Sequence, residues 1–118
     1  MTKDIIAAAS FYKQSYFFNP EYDDLPTDVK KELRAVAAVA AEKTRGIVCV
    51  GFKNGHIFME SSGLETDADY DEITARNVID DTIKNKAEIF TSLSEWYKLF
   101  KTEDGKKAKD SFLRGLPL

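Results

Sequence analysis

The chain reads as an α+β protein: a small antiparallel sheet built on one β-hairpin, packed against two helices, the second of them long. Three observations carry that expectation. Asn54-Gly55 stands between two alternating apolar runs in the stretch 45–63. An alanine-rich stretch, 29–44, repeats its apolar residues at helical spacing. A second helical pattern then runs from about residue 68 to residue 101.

The hairpin organises the rest. Asn-Gly is suited to a type I′ turn, because that turn needs positive φ at both central residues. It sets Lys53 opposite His56, Phe52 opposite Ile57, Gly51 opposite Phe58, Val50 opposite Met59, Cys49 opposite Glu60 and Val48 opposite Ser61. Strand side chains alternate between faces. Val48, Val50, Phe52, Ile57 and Met59 therefore share a core face. Ile47, Cys49, Gly51, Phe58 and Glu60 share a mixed one, with Lys53 and His56 at the tip.

Upstream, 3–14 has Ile5, Ala8, Ala9, Tyr12 and Tyr16 near helical spacing, and reads as a short helical or irregular start. It runs into an aromatic, alternating segment near 13–18, the one candidate for a third strand. Asn19-Pro20 ends that segment and opens a turn-rich connector to Pro26. Pro26-Thr27-Asp28 suits a helix start, with the aspartate at the positive end of the dipole. Val29, Leu33, Val36, Ala37 and Ala40 form its apolar stripe, and Gly46 is expected just past its end.

After the loop 61–67, Thr66 or Asp67 is expected to cap the long helix. Ile79, Ile83, Ala87, Phe90, Leu93, Tyr97 and Phe100 recur at steps of three and four, and Val78, Ile89, Trp96 and Leu99 widen the apolar surface. Such a helix would be roughly 50 Å long at 1.5 Å per residue, longer than so small a domain is wide. Its weakest part by propensity is 82–85, the place for a kink. The domain organisation expected is one α+β domain, 1–101, and a C-terminal tail, 102–118, partly disordered or with a short helical turn that docks Phe112 and Leu113.

Composition narrows the function. Hydrophobic residues at 43% and charged residues at 31% suit a folded soluble chain. A net charge of −3 provides no field to draw in nucleic acid. One cysteine and one histidine make neither an internal disulfide nor a zinc site of the usual kind. The N-terminus lacks the pattern of a signal peptide, and no apolar run nears the roughly 18 residues of a membrane span. A cytoplasmic protein without membrane or nucleic-acid partner is expected.

The acidic run Asp67-Ala-Asp69-Tyr-Asp71-Glu72 begins like a calcium loop. The likeness ends where glycine is needed and Glu72 stands, and where glutamate is needed and Val78 stands. The run reads instead as an acidic first helical turn. Cys49 and His56 are four pair positions apart on the hairpin, roughly 13 Å, too far for a thiol–imidazole dyad. Glu60 is either solvated or paired, with Arg45 and Arg76 as candidate partners. The lysines at 101, 106, 107 and 109 read as a solvated helix end. No P-loop, GxGxxG, GxSxG or HExxH pattern occurs. No catalytic, cofactor-binding or metal-ligating residue is named, and no enzyme or cofactor is expected.

Several short motifs carry a resemblance: Tyr16-Phe17-Phe18-Asn19-Pro20-Glu21, Leu25-Pro26 with Lys31-Glu32-Leu33, Gly46-Ile47 with the hairpin, Asp69-Tyr70-Asp71-Glu72-Ile73 and Trp96-Tyr97-Lys98-Leu99-Phe100. Through them the chain resembles a family of small uncharacterised bacterial proteins, classed as a domain of unknown function. That resemblance implies no activity and no functional residues. In pattern alone, helix, glycine, hairpin and helix also resemble half of a roadblock/longin-type module, which regulators of small GTPases use.

The apolar surplus of the long helix points to assembly. Left exposed, it would exceed the few hundred Å² usual for a monomer. A symmetric homodimer is expected, with Phe90, Leu93, Tyr97 and Phe100 at the contact or, alternatively, with the sheet edges paired, in a non-enzymatic protein that acts by protein–protein interaction with an unidentified partner. The competing expectation is a kink near 82–85 that folds the helix back over its own hairpin and leaves a monomer. The alternative is a small-molecule-binding regulatory domain with a pocket between the hairpin's mixed face and the long helix.

Overall fold

Asn54 and Gly55 both take positive φ, 53° and 81°, and the strands on either side pair as the turn requires. β3 (Ile47–Lys53) and β4 (His56–Ser62) are antiparallel, with Lys53 opposite His56, Cys49 opposite Glu60 and Val48 opposite Ser61. In this computed structural model, which describes residues 3–100, the hairpin is half of a four-stranded antiparallel sheet. The other half is β1 (Lys3–Ser10) and β2 (Ser15–Phe18), and the strand order is β2-β1-β3-β4.

β1 corrects the helical or irregular start expected for 3–14. It is a central strand, paired to both β2 and β3. A bulge between Ile5 and Ala7 breaks its alternation, and Ile6 and Ala7 are both fully buried. Two neighbouring buried residues hide the period of two by which a strand is recognised. The segment expected to be a third strand does form one, β2, but it lines up on β1 and not on the hairpin.

A single 3-10 turn (Pro20–Tyr22) leads to α1 (Thr27–Thr44). The expected stripe is buried at Leu33, Val36, Ala37 and Ala40, with Ala41 added. Its alanines meet those of β1, Ala7 and Ala9, so helix and sheet approach closely. Arg45, not Gly46, takes the left-handed cap conformation, at φ 56°, and its N–H reaches the Ala41 carbonyl at 2.8 Å. Gly46 serves a different need. A Cβ there would come within 2.6 Å of both the Ser62 carbonyl and the Tyr70 ring.

The continuous helix expected over 68–101 is two helices, α2 (Glu72–Asn85) and α3 (Ala87–Phe100). Lys86 leaves the helical region, with φ −115° and ψ 32°, next to the segment of weakest propensity. The cap is Asp71 rather than Thr66 or Asp67; its carboxylate accepts from the N–H of Ile73 and Thr74. With the break, Ile79 of α2 and Ile89, Phe90 and Leu93 of α3 all enter one core with Val48, Val50, Phe52 and Met59. All three helices thus lie on the sheet's core face. Among the described residues no helix covers the mixed face. The tail expected over 102–118, with Phe112 and Leu113, lies outside the described residues, as do the lysines at 101, 106, 107 and 109.

Candidate functional sites

Two concavities flank α2. The first is a groove of about 330 Å³ between α1 and α2. Ala35, Val36 and Val39 form one wall, Val78 and Thr82 the other, with Glu32, Lys43, Asp81 and Lys86 at the rim. Val39 stands 52% exposed beside it. The sequence reading missed this groove because Val39 falls outside the main stripe of α1. The legible signal was the recurrence of 32, 35/36, 39 and 43 on one helical face.

The second concavity is a cleft of about 470 Å³ between β4 and α2. Met59, Ala75 and Ile79 supply its buried apolar floor. Glu60, Glu72, Arg76 and Asp80 supply its charges. Tyr70 shapes one end: its ring lies against Gly63 and Gly46, and its hydroxyl hydrogen-bonds the Ser61 hydroxyl. Because α2 packs on the core face of the sheet, this cleft opens beside the outer edge of β4.

Residues 3–105 match the description "Family of unknown function (DUF6145)". The chain belongs to that family. The DUF6145 match spans both concavities and every described element of the fold. No similar curated protein and no similar solved structure was found.

The acidic run is drawn apart by its neighbours. Asp67 accepts from the Tyr12 hydroxyl at 2.7 Å and from the Asp69 N–H at 3.0 Å. Leu64 N–H in turn donates to the Tyr12 oxygen at 3.2 Å, so Tyr12 pins the 64–70 loop to the turn after β1. The hydrogen bond to Asp67 raises the Tyr12 hydroxyl's pKa above its ordinary value, with burial adding to it. Asp71 caps α2, and the N–H groups of Thr74 and Ile73 hold its carboxyl below the usual range. Among the described residues no group of three or more His, Cys, Asp or Glu is placed to hold a metal ion.

Cys49 and His56 stand where the register sets them, four pair positions apart. Glu60 and Arg76 line the same cleft, whereas Arg45 lies over the Phe11 ring at 5.9 Å. The residues expected at a dimer contact are differently placed. Leu93 is fully buried and Phe90 nearly so, both within the chain's own core. Tyr97 packs its ring 4.2 Å from that of Phe52. Phe100 ends α3, and its side chain lies outside the described residues. The surplus that pointed to the α3 face is largely buried within the chain, because the break at Lys86 lets α3 fold back onto the core that holds Phe52 and Met59 of the hairpin.

Proposed function

We propose that the protein is a cytoplasmic, non-enzymatic module that acts by homodimerisation and protein–protein contact, with the α1/α2 groove as the dimer face. The carrying observation is Val39, a large apolar side chain 52% exposed at the lip of an apolar groove. The face is self-complementary. Glu32 and Lys43 are eleven residues apart on α1, three helical turns, so both point the same way. Antiparallel pairing of two α1 helices about a two-fold axis sets Glu32 opposite the partner's Lys43, and Lys43 opposite the partner's Glu32. The same axis offers Val39 to the partner's groove, as an isologous contact requires. Ala35, small and on the same wall, lets the helices approach closely there. A single cysteine suits a reducing compartment.

Light scattering tests this. The expected mass is twice 13.3 kDa at micromolar concentration. Val39→Glu should return it to 13.3 kDa with the circular dichroism unchanged, since Val39 makes little of the core. Glu32→Lys alone should weaken the dimer, and Lys43→Glu added to it should restore it. A mass of 13.3 kDa at every concentration, or a dimer indifferent to Val39→Glu, would refute the reading.

A further inference from the structure

The geometry points to a second interaction surface: the outer edge of β4, which we infer accepts an extended peptide with lysine or arginine at alternate positions, laid antiparallel as a fifth strand in the cleft beside α2. This goes beyond the dimer face, which lies on the other side of α2.

The edge is identified by the register. A two-residue turn makes its flanking residues, Lys53 and His56, a hydrogen-bonded pair. Antiparallel pairs then alternate between bonded and non-bonded. Phe58, Glu60 and Ser62 therefore turn their backbone groups toward β3. Ile57, Met59 and Ser61 turn theirs away from it, at the outside of the sheet. No backbone hydrogen bond from a described turn or loop reaches those three residues.

Proteins commonly blunt such an edge with proline, lysine or a very short strand. The opposite edge, β2, is short, with four residues. β4 has seven, and its sequence HIFMESS contains neither proline nor lysine. The cleft along Met59 to Gly63 leaves room beside it.

The α2 wall specifies the occupant. In an antiparallel fifth strand, residues opposite Met59 and Ser61 exchange hydrogen bonds with them and share their side of the sheet. Their side chains therefore enter the cleft. There they cross Ala75 and Ile79 and end near Glu72 and Asp80, the carboxylates one turn on either side of Arg76. A lysine suits that path, with its apolar stem on the floor and its ammonium at the carboxylates. Backbone pairing supplies attachment in such docking, and alternate side chains supply selection.

The test uses the full chain and a fluorescein-labelled decapeptide that alternates lysine and threonine. Saturable fluorescence polarisation is expected, with slowed deuterium exchange at the Met59 and Ser61 amides. Methylating the backbone nitrogens of the lysines should weaken binding by about tenfold or more, since those N–H groups face β4. Methylating those of the threonines should leave it within about twofold, because they face away. Glu72→Gln combined with Asp80→Asn should weaken binding while the melting temperature of the free protein holds. Absence of binding at millimolar peptide, or equal effects of the two methylations, would overturn the proposal. Edge amides already protected in the free protein, increasingly so with concentration, would also overturn it and assign the edge to a second copy of the chain.

Discussion

Tyr22 donates a hydrogen bond to the Asp4 carboxylate and joins the 3-10 turn to the first residues of β1. The ring is fully buried, 6.2 Å from Phe52 and 5.7 Å from Trp96 between centroids. Asn19 reinforces the same junction, donating its N–H to the Ile6 carbonyl and its side-chain amide to the Ile5 carbonyl, each at 2.8 Å. The connector that leads to α1 is thereby fixed to the strand it crosses.

Burial first, and then the hydrogen bond to Asp4, push the Tyr22 hydroxyl far above its ordinary pKa of 10.0. The sign of the pH effect follows. Below pH 10 the phenol is protonated in folded and unfolded chains alike, and its contribution is intact. Above pH 10 the unfolded chain ionises while the folded one resists, so stability falls as pH rises. Tyr22→Phe should cost about 1.5–3 kcal/mol at neutral pH by removing a hydrogen bond to a charged group. It should also flatten the alkaline decline, with Tyr16, likewise raised by burial, retaining part of it. Urea midpoints measured from pH 7 to 11 check both; a variant whose alkaline slope equals the parent's would remove Tyr22 as its source.

Gly51 sits opposite Ile5, where the β1 bulge begins. A Cβ on Gly51 would run into the Asp4 carbonyl oxygen and lie 3.0 Å from the Ile5 Cα. Both obstacles are backbone in a central strand, so neither can swing aside. Gly51→Ala should destabilise the protein by about 1–3 kcal/mol, as overpacking does. Chemical denaturation reads this directly, and an unchanged midpoint would show that the bulge relaxes freely.

The same glycine shows what was legible in the chain and what was not. The hairpin was readable because Asn54-Gly55 has a local chemical cause, and its register follows by counting. The α1 stripe was readable because periodicity is also local. β1 was not, because its bulge and its run Ala7-Ala8-Ala9 suit a helix locally, and only pairing to β2 and β3 makes it a strand. The break at Lys86 was half-readable: weak propensity marked the neighbourhood, but the drive to bury Phe90 and Leu93 against the sheet is a tertiary effect. The α1 wall of the groove leaves a local trace in the spacing of 32, 35/36, 39 and 43, but the placement of α2, which closes both concavities, has no local pattern behind it.

Calcium should not bind the 67–72 segment to any effect. Asp67 and Asp71 are already engaged, with Tyr12 and Asp69 on one side and the α2 N-terminus on the other. Titration to millimolar calcium should leave the melting temperature unchanged, and a saturable rise reversed by chelator would contradict this. Acid should act on the same segment. The Asp71 carboxyl is held low in the folded chain, so its cap is at full strength above pH 3.8, its ordinary value, and weakens as pH falls below it. Asp71→Ala should lower the melting temperature at pH 7 and make the loss at acid pH shallower.

Leu93 separates a residue that holds the fold from one that holds an assembly. On the helix pattern alone it belongs to an exposed stripe, and Leu93→Glu would be expected to split a dimer into folded monomers. In the structure its side chain is fully buried in the core that also contains Phe52, Met59, Ile79 and Phe90. Leu93→Ala should therefore cost about 2–5 kcal/mol, the lost transfer energy plus the cavity it leaves. Leu93→Glu would bury a carboxylate with no partner supplied for it, a much larger penalty. The prediction is loss of cooperative unfolding and of near-ultraviolet dichroism at every protein concentration. Val39→Glu, at an exposed position on α1, should leave both signals intact. A Leu93→Glu protein that stays folded with a halved mass would put α3 back at the interface and take it out of the core.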